Sequence, residues 1–288
     1  MEGSGGAKRW LKGCAIGCGV VLLLGGVACW VTVSMVKGLF QGLRQAQESA
    51  VALKDDLGGV EAYTPPPDGS IAPERLKVFL EVREVCRPER DGLEQAIADF
   101  PVEELSDESV GGFEKLRRGV GAVSRVLDGL GRYLTSRNQA LQKTRMGLGE
   151  YTYVYSVAYY SFLGHRPAEG PAFVRDGREV PILEHSDSPL SPPQVRRRYR
   201  RYLVPMLKRQ LAAAEEGQLE AGDWRERLAA EIRRLEEDPE RVAWQDGLPE
   251  AIAASLEPFR EELEAAYSRT TNPAELPFAE GEQGYRGR

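Results

Sequence analysis

The densest set of reactive side chains in the sequence is Glu184, His185, Ser186 and Asp187, a base and a nucleophile between two acids. Consecutive residues point in different directions, and hydrolases assemble such groups from separate segments, so contiguity argues against a triad. His165 is the second of only two histidines. A metal site needs three or four convergent ligands, and no His, Cys, Asp or Glu set here has recognised spacing. The sequence holds no phosphate-binding glycine loop, zinc-protease helix motif or GxSxG elbow. No catalytic, cofactor-binding or metal-binding residue is therefore assigned. Cys14, Cys18 and Cys29 lie in an apolar N-terminal stretch and read as small helix residues. Cys86 is the only other cysteine, so the rest of the chain has no internal disulfide.

Two further patterns could bind rather than react. Residues 151–162 read YTYVYSVAYYSF, with five tyrosines. Tyr151, Tyr155, Tyr159 and Phe162 share one helical stripe and form the candidate interaction surface, since aromatics are enriched where proteins bind. The plainer expectation for the same stripe is a core helix whose hydroxyls reach polar partners. The run Arg196-Arg197-Arg198-Tyr199-Arg200-Arg201 is basic with an interleaved ring. Around a helix those arginines spread over several faces and are expected to pair with carboxylates.

Charge excludes one class of partner. The chain has 38 basic and 44 acidic residues. Lys8, Arg9, Lys12 and Lys37 oppose only Glu2 in residues 1–37, which leaves 34 basic and 43 acidic residues over 38–288. A domain with that excess of carboxylates is not a nucleic-acid binder, because phosphate neutralisation needs positive potential.

The elements that must position these residues begin with residues 13–36, GCAIGCGVVLLLGGVACWVTVSMV, 24 residues without a charge. As a helix this run spans about 36 Å, enough for a hydrocarbon core of ~30 Å. It exceeds the ~7–15 apolar residues of a cleaved signal peptide, so an uncleaved signal anchor is predicted. The tight cluster Lys8, Arg9 and Lys12 favours the N-terminus inside and the remainder extracytoplasmic. The implied partner is the lipid bilayer, with weak self-association through Gly13 and Gly17, a small-xxx-small pair.

Beyond the anchor, the fold class expected is all-α: one transmembrane helix followed by a soluble helical bundle with an irregular central loop segment. Residues 1–12 form a short tail, and 37–69 a juxtamembrane helix and proline-rich linker. Residues 70–163 make the first part of the bundle. Within it, Phe113, Leu116, Val120, Val123, Leu127, Leu130 and Leu134 alternate steps of three and four, a heptad seam. Arg137 and Thr144 interrupt it, and Ser136 with Gln139 has capping-box spacing, so a break is expected near Thr135-Ser136. Glycines 119, 121, 129 and 131 would let a neighbouring helix approach closely. Residues 164–191, rich in Gly and Pro, predict a loop or small hairpin around Asp176-Gly177. Residues 192–271 return to helices, starting with the capping box Ser191–Gln194, and 272–288 read as a disordered tail.

Met146-Gly147-Leu148-Gly149-Glu150-Tyr151 and the tyrosines after it, Ala72-Pro73-Glu74-Arg75-Leu76, and the anchor with Leu22, Leu23 and Leu24 together resemble single-pass, membrane-anchored helical bacterial proteins. The likeness covers residues 10–165. It implies a bacterial inner-membrane setting and, because those proteins carry no known activity, transfers no functional residue. The function expected is a non-enzymatic interaction or scaffold protein binding another envelope protein. The alternative is an extracytoplasmic sensor or ligand-binding module with a pocket lined by Tyr151, Tyr155 and Tyr159. A hydrolase using the 164–191 segment ranks third.

Overall fold

The computed structural model describes residues 41–101, 109, 111–175, 178–181, 190–217 and 223–278. The expected transmembrane helix at 13–36, the Glu184–Asp187 cluster and the end of the tail (279–288) lie outside the described residues. Among those described, no helix is long and apolar enough to cross a membrane.

The described chain is built from helices, as the periodicity predicts. The first group comprises α1 (Gln41–Leu57), α2 (Pro73–Val85), α3 (Arg87–Ala98) and α4 (Gly112–Lys143). α2 and α3 are one amphipathic stretch interrupted at Cys86, with Pro88 seated in the first turn of α3, where its missing N–H has no helical acceptor to lose. α4 is the spine. It runs unbroken through Thr135-Ser136, contrary to the expected break, because the Thr135 hydroxyl donates back to the Gly131 carbonyl (2.8 Å) instead of capping a new helix. Arg137 and Asn138 are buried in the same helix and held from outside it, so tertiary contacts override the local capping signal.

α1 lies parallel to α4. Gly42 packs at Asp128, Asn138 Nδ2 donates to Ser49 Oγ (3.0 Å), and Arg145 meets Asp56 (2.8 Å), so both chains advance together. Gly131 makes this possible: a Cβ there would stand 2.6 Å from the Gly42 carbonyl oxygen. α3 covers another side of α4, with Leu93 against Gly129.

After Arg145, whose φ of 54° turns the chain, α5 (Leu148–Tyr155) passes into a π-helical segment, Ser156–Phe162. In a regular α-helix residue i+5 is rotated about 140° from residue i. The wider π turn brings Tyr160 back over Tyr155, with ring centroids 5.6 Å apart, while Tyr159 lies 4.6 Å from Tyr155 on the same side. The expected hairpin is present as a two-stranded antiparallel ribbon, β1 (Ala172–Arg175) with β2 (Arg178–Pro181), Phe173 opposite Val180.

The second helical group is α6 (Pro192–Glu216), α7 (Trp224–Glu237), α8 (Glu250–Leu256), α9 (Arg260–Ala266) and α10 (Asn272–Glu275). Ser191 precedes α6, but its side chain makes no capping bond, so the prolines in the first turn rather than a capping box set this start. One hydrophobic core joins both groups, from Leu76, Phe79 and Leu141 to Leu203, Leu228, Ile252 and Leu263. The described part of the tail expected to be disordered, 272–278, instead begins with a helix and is largely buried: Asn272, Glu275 and Leu276 are all fully inaccessible. Its polarity, which suggested solvent, is matched by polar partners inside the bundle.

Candidate functional site

α10 and the residue before it, Thr271, bring the most concentrated polar chemistry of the described chain into its interior. Glu275 is the centre. Its carboxylate accepts from the Arg83 guanidinium on α2, the Tyr133 hydroxyl on α4, the Thr271 hydroxyl (2.8 Å) and the Tyr151 hydroxyl on α5 (2.8 Å). Arg137 on α4 stands 3.5 Å from it and donates to the main-chain carbonyls of Ala274 and Glu275, each at 3.1 Å. Arg83 also donates to the Ala266 carbonyl (2.8 Å), as does Arg90 (3.1 Å). That carbonyl closes α9, where the helix dipole is negative, so it helps hold the excess positive charge of two arginines around one carboxylate.

The electrostatics follow from this geometry. Burial alone would push the Glu275 carboxyl upward, but attraction to Arg83 and Arg137 and the bonds from Tyr133 and Arg83 outweigh it and hold the group below its ordinary value of 4.5. Burial pushes the Tyr133 and Tyr151 phenols well above theirs, so both stay protonated and donate. The cluster is an ionised carboxylate enclosed by donors, with no reacting group of raised basicity and no open side.

Beside it, Asn272 satisfies a second set of groups. Its Oδ1 accepts from the Tyr155 (3.0 Å) and Tyr160 (2.9 Å) hydroxyls, and its Nδ2 donates to the carbonyls of Arg166 (3.0 Å) and Glu169 (2.6 Å). The sequence-predicted surface stripe is thus largely internal. Tyr151, Tyr155 and Tyr159 are fully buried, and only Phe162 is partly exposed, under the Arg260 guanidinium (4.2 Å). For Tyr151 and Tyr155 the reason is the polar tail, which accepts from their hydroxyls and from that of Tyr160; the Tyr159 hydroxyl is buried without a hydrogen-bond partner among the described residues. The inter-helix space that a ligand pocket lined by Tyr151 and Tyr155 would use is occupied by the chain's own Asn272 and Glu275.

The other singled-out residues do not converge on this cluster. His165 stacks on Tyr267 (3.6 Å between centroids) and stands 3.5 Å from Glu169. Burial raises the Cys86 thiol to about 11, which leaves it protonated and unreactive. The basic run is only partly a solvated, ion-paired face. Arg196 pairs with Glu240 (2.9 Å), but Arg198 is buried and donates to the Pro273 carbonyl (2.8 Å). Arg200 caps the end of α7 through the Leu235 and Glu236 carbonyls, both at 2.9 Å. Among the described residues, no three His, Cys, Asp or Glu side chains are grouped to hold a metal ion.

The exposed counterpart is the N-terminal half of α4. There the heptad seam leaves the bundle: Phe113 is 80 % exposed and Leu116 63 %, and Val123 is also exposed, around a shallow apolar depression edged by Lys115, Gly119 and Val120. No family model, curated protein or solved structure matches the chain.

Sequence reasoning missed Arg83, Arg137, Thr271, Asn272 and Glu275. Arg137 did leave a trace, as the charged interruption of an otherwise apolar seam. Arg83 follows Phe79 by four residues on the buried face of α2 and left a similar one.

Proposed function

We propose that the protein is a membrane-anchored, non-enzymatic interaction or scaffold protein, held by residues 13–36 with its helical domain extracytoplasmic. The observation that carries this is the division of the described domain. A closed internal cluster around Glu275 takes up Arg83, Arg137, Tyr133 and Tyr151, whereas an accessible feature is an apolar face on a long helix. A face of that kind suits binding rather than turnover. The uncharged 24-residue run and the basic residues before it support the anchor and its orientation.

Two reporters fused after residue 288, one active only outside the cytoplasm and one only inside, test the topology. Activity from the outside reporter alone is expected, with the chain resisting alkaline extraction from membranes. Activity from the inside reporter alone would overturn the orientation, and release by alkali would overturn the anchor.

A further inference from the structure

We infer that Tyr153, Arg209, Gln210 and Trp224 form a recognition site for a proline-rich peptide, occupied in cis by residues 63–69 of the same chain. The site adds a ligand class to the reading above and does not depend on the anchor or its orientation. Two parts of the molecule, each ordered by its own bonds, meet here through side-chain donors and main-chain acceptors.

The ligand part is Tyr63-Thr64-Pro65-Pro66-Pro67-Asp68-Gly69. Three consecutive prolines have no N–H to give, so the stretch presents carbonyls that need outside donors. Thr64, Pro65 and Pro66 each precede a proline, which biases them toward extended backbone. Pro67 then takes the second position of a turn closed by the Gly69 N–H on the Pro66 carbonyl (2.9 Å). The Asp68 carboxylate ties that turn, accepting from the Ser70 N–H (3.1 Å) and hydroxyl (2.9 Å). The shape of the segment is therefore set locally, at little further cost in chain entropy.

The receptor part supplies one side chain to each of four carbonyls. Arg209 on α6 donates to Tyr63 through Nη2 (2.9 Å) and Nε (3.1 Å). Its neighbour Gln210 donates through Nε2 to Pro66 (2.8 Å). Trp224, which opens α7, donates through Nε1 to Pro67 (2.7 Å), and the Tyr153 hydroxyl on α5 donates to Gly69 (3.1 Å). Indole and phenol donors set over proline carbonyls are the means by which aromatic grooves bind such peptides.

The aromatic platform stands without the peptide. Trp224 stacks on Trp244, with ring centroids 5.6 Å apart. Trp244 has a φ of 60°, a left-handed conformation that costs a bulky residue energy and persists only where its surroundings impose it. Here the buried Glu231 imposes it: its carboxylate accepts from the Trp244 N–H (2.9 Å) and from both edges of Arg241 (3.0 and 2.9 Å). None of these bonds involves residues 63–69. Gln210 is fully inaccessible, and its Oε1 has no hydrogen-bond partner among the described residues. Packing alone favours an apolar side chain there, so the bond to Pro66 is what offsets the burial of an amide.

The test uses the full-length chain in detergent with isotope-labelled tryptophan, which gives four indole N–H signals in nuclear magnetic resonance. The Trp224 signal is the one that Trp224→Phe removes. The probe is the blocked peptide Tyr-Thr-Pro-Pro-Pro-Asp-Gly, with a control in which alanine replaces its three prolines. In the parent chain the probe is expected to leave the Trp224 signal in place, because the tethered segment competes at an effective concentration of ~mM. In the variant Pro65→Ala, Pro66→Ala, Pro67→Ala the signal is expected to move, and the probe should return it saturably to the parent position. The control should bind about tenfold more weakly or worse, for want of the entropy that prolines remove from a free peptide. Gln210→Leu added to that variant should weaken the probe about fivefold, the loss of one hydrogen bond. A variant with native circular dichroism whose signal stays at the parent position would show that prolines are not what the site reads. A signal that moves and does not answer the probe, or answers the control equally, would overturn the site as a receptor. Should the triple exchange unfold the domain, Pro67→Ala alone is judged by the same outcomes.

Discussion

The C-terminal segment 271–276 and the first turns of α4 sit on opposite sides of an apparent mismatch between character and location. One carries Thr, Asn and Glu and is fully buried; the other carries Phe, Leu and Val and faces outward. What separates them is the availability of partners. Every major polar group of Asn272 and Glu275 meets a hydroxyl, guanidinium or carbonyl, and a polar group so satisfied can be buried without the several kcal/mol lost by an orphan. The α4 tip has apolar surface but, beyond α3 and the described start of α1, no described helix laid on it. The contrast teaches that in this domain hydropathy sets which surface needs a partner, and the chain's topology decides whether one is supplied.

Breaking the buried side of that contrast should have the largest effect. Glu275→Gln removes the anion shared by Arg83 and Arg137 and is expected to destabilise the domain by about 3–5 kcal/mol in denaturant unfolding. A change within error would show that the arginines are held by carbonyls alone. The same carboxylate predicts an acid dependence. Its folded-state pKa lies below the unfolded value near 4.5, so its stabilisation is present above that pH and lost as pH falls through the folded pKa. Unfolding free energy should drop on acidification below about 4.5 and drop less steeply in Glu275→Gln.

Next in size is the close approach that fixes α1 on α4. Helix propensity alone favours Gly131→Ala by ~1 kcal/mol, yet the added methyl would meet the Gly42 backbone. The overpacking should win, giving a net loss of about 1–3 kcal/mol by thermal or chemical denaturation. A stabilised variant would show that the two helices are not held at this distance. Smaller still is Tyr155→Phe, which removes one of two hydroxyls on Asn272 Oδ1 while Tyr160 keeps the other. About 0.5–1.5 kcal/mol is expected. On the exposed side, Leu116→Ser should leave the stability of the domain in detergent within ~0.5 kcal/mol. A larger loss would place this residue inside a contact and dissolve the contrast.

How far these regions were legible in the sequence differs in the same way. The heptad seam, the interruption at Pro88 and the ribbon around residues 172–181 follow from periodicity and from proline and glycine chemistry, which act over a few residues. The role of Arg137 was visible only as a defect in the seam, since nothing local says that a carboxylate 138 residues later will answer it. Asn272-Pro273-Ala274-Glu275 reads as a polar tail for the same reason: its partners on α2, α4 and α5 are distant in sequence, and composition cannot reveal a pairing. The break expected at Thr135-Ser136 failed because a local capping signal competed with contacts from α1 and α10 and lost. The tyrosine stripe was correctly placed on a helix, but its facing depended on that unseen segment.

The bond between Arg83 and Glu275 joins residues 192 positions apart. A chain made from its N-terminus therefore presents two guanidiniums to an unfinished interior until Glu275 has emerged. The domain is proof-read by its late segment: a product cut short before Glu275, however complete its long helices, lacks the counterion that lets the interior close, and is expected to be cut by proteases that a chain containing Glu275 resists.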